Sequence, residues 1–243
     1  MAIDPAELAR ALRGLAPSRA LERDVLASLR RAVGATRDLF LVSGAGLMLI
    51  DTDSTLRYVV ASDDAAHALE AAQEDLGEGP SVDAFVLDRM VETADILGDD
   101  RWPRLSPVAA REGIRAVLGI PTRMEGAPIG SLDVFVDEPH GWDESERRAL
   151  AAFNEVVEGL LREAIQAERQ TEIAEQLQYA LDNRLVIERA VGLLMGREGL
   201  DHVGAFNRLR QTARKSGRRV GEVADRFLAG DPLGPPARQD AER

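Results

Sequence analysis

The order of apolar patterns predicts an α+β domain with an antiparallel sheet flanked by helices, then a long helix leading into an all-α tail. Three observations carry this expectation. Apolar runs at 44–51 and 56–61, separated by Asp-Thr-Asp-Ser, read as a hairpin, and runs at 114–120 and 131–136 read as a second one around Glu125-Gly126. Between the hairpins lie segments of helical spacing, the arrangement of a sheet with helices packed on it. From Asp143 to Glu198 the chain has no Pro and only the isolated Gly159, Gly192 and Gly196, so a long helix is expected there.

Each element has its own local reason. Residues 1–17 are rich in Ala and Arg and end at Pro17, a flexible start. Ser18 and Glu22 resemble a capping pair for a first helix, and Leu21, Val25, Leu29 and Val33 follow at helical spacing. Asp63 opens a helix to Asp75 with Ala65, Ala68, Leu69 and Ala72 inward; Gly77-Glu78-Gly79-Pro80 ends it, and Pro80 begins a short helix to Asp88. A strand is expected at 90–94 and a short helix at 103–112. In the second hairpin Leu132, Val134 and Val136 alternate with Asp133 and Phe135. This predicts either a cavity on the Asp133 face or a filled core with Asp133 at the sheet edge.

Asp143 and Glu146 form a capping box for the long helix. Leu150, Phe153, Val157, Leu160, Leu161 and Ala164 make one apolar stripe; Ile173, Leu177, Ala180, Ile187, Val191 and Leu194 make another. The stripes differ by one position in heptad phase. They predict a parallel dimer seam, the alternative being a helix packed on its own domain and followed by a charged linker.

Composition excludes several function classes. The 243 residues suffice for one or two domains with their own cores. The first residues lack a basic flank and an apolar core, so no secretory signal is expected, and no apolar run is long enough to span a bilayer. A cytoplasmic location is the expectation. Without Cys there is no thiolate metal site, and His67, His140 and His202 share no ligand spacing. No phosphate-binding Gly loop, nucleophile elbow or His-Glu-x-x-His motif occurs, and no Lys precedes Lys215, which excludes the acid pocket and Lys of a receiver domain. No catalysis, cofactor or metal is expected. Charge is divided unevenly. The chain carries −12, but residues 177–229 hold ten Arg and Lys against six acids, +4, a basic segment in an acidic protein that suits a polyanion.

The segment holding Arg184, Ile187, Ala190, Gly192, Leu194 and Met195, then Ala205, Phe206, Leu209, Arg210 and Ala213, resembles the ANTAR domain, a three-helix RNA-binding module of bacterial antitermination regulators. Val191 stands where that family usually has Lys, so an RNA role there is lost. The stretches 46–51, 68–81, 99–103, 114–121 and 126–135 together resemble a GAF domain, a sensor module related in shape to PAS. Ser81 occupies the place where many relatives have Cys, and the Gly77–Ser81 stretch reads first as a loop between helices. Trp102 reads as packing. The combination resembles the GAF-ANTAR regulators. It implies a GAF sensor at 18–164, a helical connector at 165–176, an ANTAR bundle at 177–229 and a disordered tail at 230–243.

Three functions remain open at this point: RNA-binding antitermination, duplex DNA binding through a helix-turn-helix at 201–228, and a protein-interaction module whose bundle only dimerises. The resemblance and the charge split favour the first. The expected partners are RNA stem-loops, a second copy of the chain and a small-molecule or protein signal for the GAF half. The expected RNA-contacting residues are Arg184, Arg210, Arg214, Lys215, Arg218 and Arg219, with an internal ion pair of Arg210 to Glu188 or Glu222 as the alternative for that residue.

Overall fold

The computed structural model describes residues 6, 8, 10–11, 25–40, 42–50, 56–167 and 172–233. The chain divides into two compact units that meet in sequence near residue 175.

In the first unit the described elements are α1 (Val25–Phe40), β1 (Gly44–Ile50), β2 (Leu56–Ala61), α2 (Asp64–Leu76), α3 (Pro80–Leu87), β3 (Val91–Thr93), a 3-10 turn (Ile96–Gly98), α4 (Ser106–Glu112), β4 (Ala116–Met124), β5 (Ala127–Val136) and α5 (Glu144–Ala167). The strands form one sheet in the order β2-β1-β5-β4-β3, with antiparallel registers for β1–β5, β4–β5 and β3–β4. Glu125 and Gly126 both take positive φ, 50° and 78°, the geometry that a tight turn between right-twisted strands requires.

Alternation along β5 sorts its side chains onto two buried faces. Leu132 sits between Leu47 and Ile120, and Val134 between Ala45 and Leu118, on the side where α1 and α5 pack. Phe153, Val157 and Leu161 of α5 are fully buried there. On the other face Phe135 joins Trp102, Leu105, Ile114 and Val117 in a second core under α2, α3 and α4. Gly44 leaves its Cβ space to the Phe135 ring.

Helix ends follow the expected chemistry. Asp63 accepts from Ala66 N at 2.9 Å, and Gly77, with φ of 67°, closes α2. Asp143 Oδ1 accepts from the backbone of Ser145 and Glu146, while Glu146 reaches back to Asp143 N at 2.7 Å, a reciprocal capping box. The expected capping pair at Ser18 and Glu22 lies outside the described residues.

The second unit holds α6 (Glu172–Glu198), α7 (His202–Ser216) and α8 (Val220–Leu228). Ile187, Ala190, Val191 and Leu194 of α6 are buried, as are Ala205, Phe206, Leu209 and Ala213 of α7 and Val220, Val223, Ala224 and Phe227 of α8.

Two expectations change. The seam residues Leu150, Phe153, Val157 and Leu161 are buried on their own domain, and Ile187, Val191 and Leu194 in their own bundle, so these are not left for a partner, while Leu160 is half-buried. The side chains of Ala164, Ile173, Leu177 and Ala180 lie outside the described ones. The tail is not disordered from its first residue, because Asp231 pairs with Arg226 at 2.7 Å and Leu233 O accepts from Thr212 at 3.5 Å.

A Cβ at Gly130, in mid-sheet between Leu49 and Thr122, collides with the Met48 carbonyl oxygen, whereas one at Gly192 in α6 meets nothing. Gly130→Ala is expected to destabilise by about 1–3 kcal/mol and Gly192→Ala to stabilise by roughly 0.5–1 kcal/mol, read from urea unfolding midpoints.

Candidate nucleic-acid interface and sensor site

Four of the bundle's exposed cations gather at the C-terminal end of α7, while Arg189 and Arg197 on α6 and Arg226 on α8 are exposed elsewhere. Asp201 caps the start of that helix by accepting from Gly204 N at 2.7 Å, and Gly217, with φ of 61°, ends it by donating to Ala213 O and Arg214 O. Arg218 and Arg219 fill the short link before α8. Arg214, Lys215, Arg218 and Arg219 are therefore neighbours along one turn and link, and all four are exposed. Arg214 and Lys215 also face the negative end of the α7 dipole, which gives them a structural role as well. The Arg219 guanidinium lies 4.8 Å from the centre of the Tyr179 ring, a stacking that holds it close to α6. A Cβ at Gly221 would meet the Asn183 and Tyr179 side chains, so the start of α8 presses closely on α6.

Two of the sequence-predicted contact residues stand apart. Arg184 is half-buried on α6. Arg210 is only 4% exposed, which removes it from any solvent-facing array. Its place in the sequence, directly after buried Leu209 and three before buried Ala213, turns it onto the inner side of α7. Arg208 is buried too, with Glu198 at 3.4 Å and Thr212 Oγ1 at 3.1 Å. Val191, 1% exposed, faces the bundle core.

In the first unit Asp133 lies on the central strand and not at the sheet edge, and it is fully buried. It stands between Gly46 of β1 and Gly119 of β4. A Cβ at Gly46 would strike Glu70 Oε1, and one at Gly119 would strike Asp133 Oδ1. The two glycines thus make room for two carboxyl groups within the sheet's second core. Glu70 and Gln73 come from α2, whose buried face is Ala66, Leu69, Glu70 and Gln73 and not the all-apolar face expected from Ala65, Ala68, Leu69 and Ala72.

Ser81, at the start of α3, ties the cluster together. Its hydroxyl donates to Glu70 Oε2 at 3.2 Å and accepts from Gln73 Nε2 at 2.6 Å, and its backbone N–H donates to Gln73 Oε1 at 2.9 Å. Ser131 donates to Asp133 Oδ1 at 2.9 Å. Burial pushes the Asp133 carboxyl up to about 7, against smaller lowering by the Ser81 and Ser131 hydroxyls. Burial, then the charge of Asp133, raises Glu70 well above the usual carboxylate range. The Gly77–Ser81 stretch is therefore more than a connecting loop. The signal for this site was present in the sequence as polar residues at 70 and 73 in register with Ala66 and Leu69.

Trp102 is packed, 1% exposed, with Nε1 donating to Asp83 at 3.1 Å and Arg101 over its ring at 4.2 Å. His140 contacts Glu146 at 2.9 Å and His202 contacts Glu188 at 3.2 Å. Among the described residues no group of three or more His, Asp or Glu could hold a metal ion, and no helix is long and apolar enough to cross a membrane.

Comparison with family models matches residues 23–161 to the GAF domain and residues 175–228 to the ANTAR domain. The chain belongs to the GAF family and carries a C-terminal ANTAR domain. This GAF-ANTAR architecture is that of a regulator. Solved structures agree on the GAF fold. A free methionine-R-sulfoxide reductase from Neisseria meningitidis, in complex with its substrate, is 20% identical with a TM-score of 0.54, over 66% of this chain and 89% of that one. The GAF domain of an Acinetobacter phosphoenolpyruvate-protein phosphotransferase is 16% identical with a TM-score of 0.54, over 67% and 94%. That of the Coxiella burnetii phosphotransferase is also 16% identical at 0.54, over 65% and 95%. At these identities the likeness is one of fold. No curated protein matches the chain.

The raised carboxyls of the GAF domain set a pH dependence with a definite sign. The folded state holds a proton on Asp133 that the unfolded chain releases at ordinary carboxylate pH, so its stabilising effect is complete in acid and is lost as pH rises to about 7, and the raised Glu70 carboxyl acts in the same direction. Asp133→Asn is expected to gain stability over the parent protein as pH goes from about 6 to about 8, measured by thermal unfolding at each pH. A constant difference across that window contradicts the assignment.

Proposed function

We propose that the protein is an RNA-binding transcription antitermination regulator, in which the GAF domain receives a small-molecule or protein signal and the ANTAR bundle binds RNA stem-loops. The observation that carries this is the group of four exposed cations, Arg214, Lys215, Arg218 and Arg219, in a +4 segment of a −12 chain. Guanidinium groups there reach phosphates and stack on unpaired loop bases, the usual mode by which single-stranded loops are recognised. Arg184, half-buried on α6, is kept as a separate candidate contact, and Arg210 is assigned to the bundle interior. Cytoplasmic action on transcripts belongs to the same proposal. A homodimer would have to be held by the connector around residues 164–180, since the described apolar stripes beyond it are used within each unit. Sedimentation of the full chain tests this, and a concentration-independent monomer ends the dimer proposal.

Replacing Arg214, Arg218 and Arg219 together by Ala is expected to weaken stem-loop binding and to lower the slope of log affinity against log salt by about 0.7–0.9 for each phosphate no longer neutralised. Arg210→Ala is expected instead to lower the stability of the bundle, because it empties a buried site. Fluorescence anisotropy with a stem-loop pool at several salt concentrations reads the first effect, and thermal unfolding reads the second. Equal affinity of the parent protein for duplex DNA would sink the RNA reading.

A further inference from the structure

Among the described residues of the GAF domain, two buried side-chain oxygens lack a donor, and they belong to different acids. Glu70 and Asp133 are both fully buried, and neither Glu70 Oε1 nor Asp133 Oδ2 has a hydrogen-bond partner. The neighbouring donors are occupied with the other oxygens. Gln73 Nε2 and Ser81 Oγ reach Glu70 Oε2 at 3.0 and 3.2 Å, and Ser131 Oγ reaches Asp133 Oδ1 at 2.9 Å. The charge acting on Glu70 is that of Asp133, not that of a guanidinium.

Four other acids of the domain each face a guanidinium. Asp95 pairs with Arg115, Asp99 with Arg101, Asp88 with Arg123 and Glu92 with Arg147. Those pairs reach solvent, where the attraction is weak. Among the described residues, Glu70 and Asp133 in the core have no cation beside them, although an unpaired acceptor costs most there.

We propose that the Glu70–Asp133 pair is the recognition site for the protonated amino group of a small ligand, a primary ammonium that donates to Glu70 Oε1 and Asp133 Oδ2. An ammonium has three donors and no acceptor, the complement of two open carboxylate oxygens. It is compact, as the full burial of both carboxyls requires. A hard divalent metal would need about six or more oxygens in a shell, a poorer match to two carboxyls whose remaining oxygens already accept from Gln73, Ser81 and Ser131. In a dry site the charge-assisted bonds are strong, and the ligand's charge replaces the proton that the pair otherwise retains.

The inference rests on reading the GAF domain as a sensor, and it does not depend on RNA binding. The test uses the full chain at fixed ionic strength. Methylammonium chloride is titrated by calorimetry and thermal shift beside tetramethylammonium chloride, which has the charge without donors, and calcium chloride. The expected result is saturable methylammonium binding, one per chain, with a dissociation constant on the order of 10 mM, the ceiling for a ligand of two heavy atoms. Glu70→Gln and Asp133→Asn, both near-isosteric, are each expected to weaken it about tenfold or more.

Equal binding of tetramethylammonium, binding of calcium in place of methylammonium, or no loss in the two variants overturns the proposal. Stability that follows pH with no amine binding also overturns it, leaving a proton site only. Stem-loop affinity measured on the same samples separates the two readings, because RNA binding can be absent while amine binding persists.

Discussion

The burial of β5 on both faces is the constraint on which the rest of the GAF domain depends. A central strand with helices on either side has no solvent-facing row, so each residue must pack or find a polar partner. Leu132 and Val134 satisfy this against α1 and α5, and Phe135 against α2, α3 and α4. Asp133 cannot satisfy it by packing. Its presence requires the small Gly119 beside it, where a Cβ would strike Oδ1, and the Ser131 hydroxyl next to it in the strand. Glu70 adds a second acid where one is already costly. Such an arrangement works against stability, and sites of that kind are where function is to be sought.

The ANTAR bundle follows a different rule. Its helices are held by a small apolar core, and the charged surface is free to serve a partner. Arg208 and Arg210 show how little residue type alone says about a cation, since both sit in the basic segment and both are buried. Helical phase decides. On α7 the inward positions are Ala205, Phe206, Arg208, Leu209, Arg210 and Ala213, while Arg214 and Lys215 lie beyond the last inward residue.

Much of this was legible before any coordinates. The two hairpins, the turn at Glu125-Gly126, the Asp63 cap and the Asp143–Glu146 box are local, and local chemistry is what a sequence displays. The sheet order is not local. Asp133 looked like an edge residue because an acid in a strand usually is, and only the pairing of β5 with both β1 and β4 places it centrally. Glu70 was obscured for a related reason, because polar residues beside Leu69 read as solvent-facing until α2 is laid on the sheet. The apolar stripes of α5 and α6 were visible, but their partner was not. A stripe records that a face is covered, and it does not record whether the cover is the same chain or another copy.

The geometry also locates where the GAF domain can transmit a change within itself. β4 presents Gly119 to Asp133 on one face and Thr122 to α5 on the other. Thr122 Oγ1 donates to Asn154 Oδ1 at 2.7 Å, and Asn154 Nδ2 donates to Pro121 O at 3.0 Å, all three residues being buried. Arg123, one residue further, donates its backbone N–H to Glu158 at 2.6 Å while its side chain holds Asp88 at the end of α3. A single strand therefore touches the acid pair, the end of α3 and the helix that leads toward the bundle. Proximity alone does not make a signal. A signal needs a second arrangement of α5 on β4, and closely packed interfaces shift between discrete states and do not deform gradually. The buried Thr122–Asn154–Pro121 bonds must be exchanged in any such shift, because leaving them unmade in the core is costlier than remaking them one register away.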